Sequence, residues 1–128
     1  MSAKQNILII DDHAMMREFL ASYLSRKFEV HLAEDGIDAL EWLETNEAPS
    51  LIIVDIDMPR MNGYDFLQTV QNRSSLEKTA LVVLSSASES ESRIKAYELG
   101  AMDVIMKPFN PRELELKLAH WKTELNAA

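Results

Sequence analysis

Five short apolar runs alternate with segments of helical period, and that alternation constrains the fold more than any other feature of the chain. The runs are Ile7–Ile10, Val30–Ala33, Leu51–Asp55, Ala80–Leu84 and Val104–Met106. Strand and helix in strict succession predict parallel strands joined by right-handed crossovers, with helices covering both faces of one sheet. In such open sheets a site forms at the C-terminal strand ends, beside the point where the strand order reverses. The residues that terminate the runs therefore matter most.

The intervening segments read as amphipathic helices. Met16, Phe19, Leu20, Tyr23 and Lys27 recur at helical spacing, with the Lys27 stem covering the edge of the apolar face. Ile37, Leu40 and Leu43 mark a second helix after the stop Glu34-Asp35-Gly36, and Phe66, Leu67 and Val70 line a third beyond Gly63. A fourth runs from about Ser90 to Leu99 and ends in Gly100 as a left-handed cap. Pro111 opens a fifth, whose Leu114, Leu118, Trp121 and Leu125 share one face.

The chain has 128 residues, 47% of them hydrophobic, which suits a single domain over 1–128 with its core at about residues 5–122. No apolar stretch approaches membrane-spanning length, and the opening Met1-Ser2-Ala3-Lys4-Gln5-Asn6 has no signal-peptide segment, so a cytoplasmic protein without membrane contact is expected. Cysteine is absent, which removes disulfide and thiolate chemistry. A formal charge of -8 disfavours direct binding of nucleic acid, so any such target is expected to be touched by another domain. There is no internal repeat, low-complexity tract or interdomain linker.

Polar residues of one chemical kind cluster at the strand ends. The first run stops in Asp11-Asp12, the third in Asp55, the fourth in Ser85, and the fifth in Lys107 before Pro108. Two strands that both end in acids can converge those acids on one hard cation, the core of a phosphoryl-transfer site. After Asp55, Pro59 ends the strand and removes a donor, while Gly63 can take a backbone conformation forbidden to a side chain. Each residue alone has a plainer reading. A strand-end aspartate is usually a turn former, and Ser85, Ser86, Ser88 or Ser90 can each cap the following helix. His13 reads as a solvated helix-start residue, His31 and His120 as structural or surface groups, and the seven methionines as adaptable core filler. The coincidence of Asp11, Asp12, Asp55 and Lys107 outweighs those separate readings.

Four motifs in order carry a resemblance: the pair Asp11-Asp12, the segment Asp55-Ile56-Asp57-Met58-Pro59-Arg60-Met61-Asn62-Gly63, Ser85 after an apolar strand, and Gly100 through Phe109 with Lys107-Pro108. From Ile7 to about Leu118 the chain resembles the receiver domain of bacterial two-component response regulators. The resemblance implies a flavodoxin-like five-stranded parallel sheet of order 2-1-3-4-5 with five helices. It implies phosphorylation on Asp55 by a histidine kinase or histidine phosphotransfer protein, in a domain that assists its own phosphorylation and dephosphorylation without being an enzyme in the ordinary sense. Asp12 and Asp55 are then direct ligands of Mg2+, with Mn2+ as a substitute; Asp11 acts through water and Asp57 through its backbone carbonyl. Lys107 and Ser85 bind the phosphoryl oxygens, and a cis peptide before Pro108 turns Lys107 into the site. Output is expected through the face of the fourth helix, fifth strand and fifth helix, to a protein partner, a C-terminal effector domain beyond this chain, or a second phosphorylated copy.

Three positions depart from the family pattern. Asp57 adds a carboxylate two residues past the acceptor, and Ala87, two past Ser85, cannot orient an attacking water. Val104 replaces the usual aromatic three residues before Lys107, so the shape change is expected to rest on Ser85, the loop after it and the fourth helix. The Asp55-Ile56-Asp57 segment also resembles the nucleophile and general-acid pair of haloacid-dehalogenase-type phosphohydrolases. Those enzymes carry the pair on the first strand and usually add a cap, for which 128 residues leave little room. A receiver-like binding module that never uses Asp55 is a further alternative, disfavoured by the intact acid, hydroxyl and lysine set.

Overall fold

A computed structural model describes residues 4–86, 89–110, 112–114, 116–117 and 119–121. Its elements follow in the order β1 (Gln5–Ile10), α1 (Ala14–Leu24), β2 (Phe28–Ala33), α2 (Gly36–Thr45), β3 (Leu51–Asp55), α3 (Gly63–Gln71), a 3-10 turn at Ser74–Leu76, β4 (Ala80–Ser85), α4 (Ser90–Glu98) and β5 (Asp103–Met106). Residues 112–114, 116–117 and 119–121 are helical and belong to α5. The strands form one parallel sheet of order β2-β1-β3-β4-β5. The expected α/β architecture and strand order hold. No helix among the described residues is long and apolar enough to cross a membrane.

Alternation along the strands divides the core in two. Leu8, Ile10, Ile52, Val54 and Val83 face Ala39 of α2, Phe66, Leu67 and Val70 of α3 and Ala96 of α4. Ile7, Ile9, Leu51, Ile53, Val82, Leu84 and Ile105 face Leu20 and Leu24 of α1 and Leu114 and Trp121 of α5. A strand covered on both faces must be apolar at every position, which is why β3 is buried throughout. Each fully buried Leu, Ile or Phe contributes about 1.5–3 kcal/mol, so these central strands form a stiff base for the residues at their ends.

Local chemistry sets the helix limits. The Asp35 carboxylate accepts from the Asp38 N–H to cap α2, and the Asn62 side chain accepts from the Asp65 N–H to cap α3. At the end of α4 the Ala101 N–H returns to the Ala96 carbonyl and the Gly100 N–H to that of Tyr97, with Gly100 at φ +102. That pair of hydrogen bonds is a Schellman cap, with the expected left-handed glycine. Helix α1 stops at Leu24, so Lys27 lies beyond it and the buried Leu24 takes the inward position instead. Pro111, Leu118, Leu125 and Ala87 lie outside the described residues.

Candidate functional site

Strand pairing brings the acids together. Strands β1 and β3 are neighbours in register, with Ile10 opposite Val54, so the next residues, Asp11 and Asp55, emerge side by side. Both carboxylates are fully buried. Asp11 Oδ1 accepts the His13 N–H at 2.9 Å, and the Asp11 carbonyl accepts from the Arg17 guanidinium at 2.8 Å. Asp55 Oδ1 accepts the Asp57 N–H at 3.1 Å. Lys107 comes from the far side of the sheet, where its N–H donates to the Ser85 carbonyl at 2.8 Å and the Lys107-Pro108 peptide is cis. Its Nζ donates to Asp55 Oδ2 at 2.9 Å and lies 3.7 Å from Asp11 Oδ2.

One ammonium between two buried carboxylates leaves excess negative charge, and the acid equilibria reflect it. Burial pushes the Asp55 carboxyl up; Lys107 and the Asp57 N–H oppose this, Asp11 reinforces it, and the net direction is upward. Burial pulls the Lys107 ammonium down, but Asp55 and Asp11 outweigh it and hold its pKa above the ordinary lysine value.

Donor atoms of Asp11, Asp12, His13 and Asp55 all lie within 4.8 Å of one another. Three carboxylates suit a hard cation that takes oxygen ligands. Asp11 Oδ2 is buried with no hydrogen-bond partner among the described residues, and a cation or its bound water would satisfy it. The residues present therefore fit a divalent ion. His13 belongs to this group as well as to the helix start: it occupies the N-cap position of α1, and its Nδ1 lies 3.4 Å from Asp11 Oδ1 and 3.3 Å from Asp12 Oδ1.

The loop after β3 corrects two readings. The strand ends at Asp55 itself, and Pro59 sits inside the following turn, where its carbonyl accepts the Met61 N–H at 2.6 Å. Gly63 is required by space: a Cβ there would lie 2.7 Å from the Asp55 carbonyl oxygen and 2.7 Å from Ile56 Cα, both backbone atoms. The positive φ in this loop belongs to Arg60, at +64. Its guanidinium pairs with the buried Asp35 and lies 3.8 Å from Asp38.

Ser85 is buried at the end of β4, opposite Met106 of β5. Its neighbour Ser86 donates through Oγ to Asp57 Oδ2 at 3.0 Å, giving the extra carboxylate a partner. Val104 packs into the core beneath the sheet end. His31 stands apart, with Nε2 3.2 Å from Asn6 Oδ1 and its ring against Trp42, and His120 is exposed on α5. The sequence offers Ser86 as a helix cap and not as a partner of Asp57, and it does not pair Asp35 with Arg60. The cap residue Asp35 and an arginine between Pro59 and Gly63 were the only signals available for that pair.

A family model described as the response regulator receiver domain matches residues 7–119. The chain is 38% identical over 116 residues to a probable transcriptional regulator, ycf27, of Porphyridium aerugineum, covering 90% of this chain and 47% of that protein. It is 37% identical over 114 residues to the transcriptional regulatory protein SrrA of Staphylococcus aureus, covering 88% and 45%. Among solved structures it resembles the Vibrio cholerae chemotaxis protein CheY4, with a TM-score of 0.85 at 29% identity, over 92% of this chain and 98% of that one. The chain thus spans just under half the length of these curated relatives. The match does not support the phosphohydrolase reading of Asp55 and Asp57.

Proposed function

Because this chain belongs to the response regulator receiver domain family, we propose that it is a phosphorylation-dependent signalling switch whose acceptor is Asp55. The observation that carries this reading is the 2.9 Å contact from Lys107 Nζ to a fully buried Asp55 carboxylate, with Asp11 beside it. A histidine kinase or histidine phosphotransfer protein supplies the phosphoryl group. The nitrogen–phosphorus bond of the donor breaks as an Asp55 carboxylate oxygen bonds to phosphorus. Little covalent chemistry is asked of the protein, so its contribution is position and charge.

Asp12, Asp55 and the Asp57 backbone carbonyl would hold Mg2+, or Mn2+ in its place, with Asp11 acting through water. When bound, the ion neutralises charge on the phosphoryl oxygens. Lys107 moves from its hydrogen bond with Asp55 to an equatorial oxygen, and the Ser85 hydroxyl donates to another. The β-strand ends hold these groups in place before the donor arrives, which limits the reorganisation the reaction requires.

Output runs through the face of α4, β5 and α5. Ile94 and Tyr97 of α4, Met102 just before β5, and Leu116 of α5 are exposed large apolar side chains, which suits a protein partner, an effector domain beyond this chain or a second copy. The names of the curated relatives favour an effector that regulates transcription, and a cytoplasmic location follows from that role. Incubation with acetyl phosphate tests the reading: mass spectrometry should show one added phosphoryl group with Mg2+ present and none with EDTA. Labelling that ignores Mg2+ would overturn it.

A further inference from the structure

The segment from Ile56 to Asn62 joins β3 to α3 beside the acidic pocket, and backbone and side-chain contacts both anchor it. The Ile56 N–H donates to the Leu84 carbonyl, the Gly63 N–H donates to the Ile56 carbonyl, and the Met61 N–H closes a three-residue turn onto Pro59. Arg60, at the centre of that turn, holds φ +64, a conformation any L side chain resists. A glycine there would be free of that cost, so the side chain is the feature to explain.

That side chain crosses the site. In the sheet order β2-β1-β3, Arg60 follows β3 and Asp35 follows β2, so their ion pair spans the C-terminal end of β1, where Asp11 and Asp12 lie. Arg60 Nε donates to Asp35 Oδ2 at 2.9 Å while Asp35 Oδ1 accepts the Asp38 N–H at 3.0 Å, so the buried carboxylate is fixed from both sides. Met61 adds a second point of attachment: its side chain fills the space beside Gly36, where a Cβ would lie 2.8 Å from Met61 Sδ. The loop is thereby docked on the first turn of α2.

We propose that Arg60 is a positioning residue for the phosphoryl-transfer site, its pair with Asp35 holding the Asp57 backbone at the distance from Asp12 that the cation requires. This rests on the proposed function, in which the Asp57 carbonyl is a ligand. Groups one step removed from a metal act by orienting the ligands, and their loss typically weakens binding about 10–100-fold. Arg60 would act through the loop, and its guanidinium would touch neither the cation nor the phosphoryl group.

Calorimetric titration of the full chain with Mg2+ tests this, using Arg60→Gly, Arg60→Ala, Arg60→Lys and, as a reference, Asp12→Ala. Gly and Ala lose the same ion pair but differ in backbone cost, so Arg60→Gly should melt higher than Arg60→Ala in EDTA. Both should nevertheless bind Mg2+ about tenfold more weakly than wild type, since affinity follows the lost side chain and not stability. Their phosphorylation rates by acetyl phosphate should recover at saturating Mg2+. Arg60→Lys, which keeps the charge without the planar fork, should fall in between. Wild-type affinity in Arg60→Gly, or a loss of rate that saturating Mg2+ does not repair, would overturn the role of Arg60 alone. Asp12→Ala binding Mg2+ as tightly as wild type would overturn the metal site itself, and the role of Arg60 with it.

Discussion

Lys107 Nζ donates a 2.9 Å hydrogen bond to Asp55 Oδ2, so this ammonium is committed to the carboxylate proposed as the nucleophile. Asp11 Oδ2, 3.7 Å from the same nitrogen, shares that cation and has no hydrogen-bond partner of its own among the described residues. The site is poised with more negative charge than it can neutralise.

A pH dependence follows from that imbalance. Burial, with Asp11 adding to it, raises the Asp55 carboxyl pKa above the ordinary carboxylate value despite Lys107 and the Asp57 N–H. A raised carboxyl binds its proton more tightly in the folded chain than in the unfolded one. Its contribution to stability therefore falls as pH rises from the ordinary carboxylate value through the raised one, and is constant above. Asp55→Asn has no such group. In EDTA, the advantage of Asp55→Asn over wild type in urea unfolding should grow with pH across that window and then level off; an advantage independent of pH would contradict the geometry.

The Asp57 carboxylate is held by Ser86, through a 3.0 Å hydrogen bond to Oδ2. Asparagine retains an acceptor for that hydroxyl while removing a negative charge that an incoming phosphoryl group must approach. Asp57→Asn should therefore be phosphorylated by acetyl phosphate several-fold faster, with dephosphorylation equal or faster, as followed by intact mass over time. A several-fold longer phosphorylated lifetime would instead make Asp57 a catalytic base.

Gly63 has no room for a methyl group. A Cβ 2.7 Å from both the Asp55 carbonyl oxygen and Ile56 Cα meets backbone, which moves only by displacing the end of β3. Gly63→Ala should cost about 1–3 kcal/mol of unfolding free energy and slow phosphorylation together, because the displaced atoms carry Asp55. Denaturant unfolding and acetyl phosphate kinetics on the same variant check both, and wild-type stability would show that the loop yields freely.

Strand β3 was legible because burial on both faces leaves only apolar residues until Asp55 interrupts them. The first two strands begin two residues earlier than hydropathy suggests, at Gln5 and Phe28, because the β1–β2 ladder pairs those residues regardless of polarity. Lys27 fits a helical period but lies past Leu24, since β2 must begin at Phe28. Asp11, Asp12, Asp55 and Lys107 could be placed together because each ends a strand of a known sheet type. Arg60 with Asp35 and Ser86 with Asp57 could not, being loop contacts across 25 and 29 residues whose partners no periodicity indicates.

Reductive trapping tests the acceptor most directly. An aspartyl phosphate is an acyl phosphate, and borohydride converts the phosphorylated aspartate to homoserine. After treatment with acetyl phosphate and Mg2+, peptide mass mapping should find homoserine at position 55 and at no other aspartate, with none in Asp55→Asn. Homoserine at position 11, 12 or 57 in the wild-type protein, or undiminished phosphorylation of Asp55→Asn, would contradict the assignment of Asp55 as the phosphoryl acceptor.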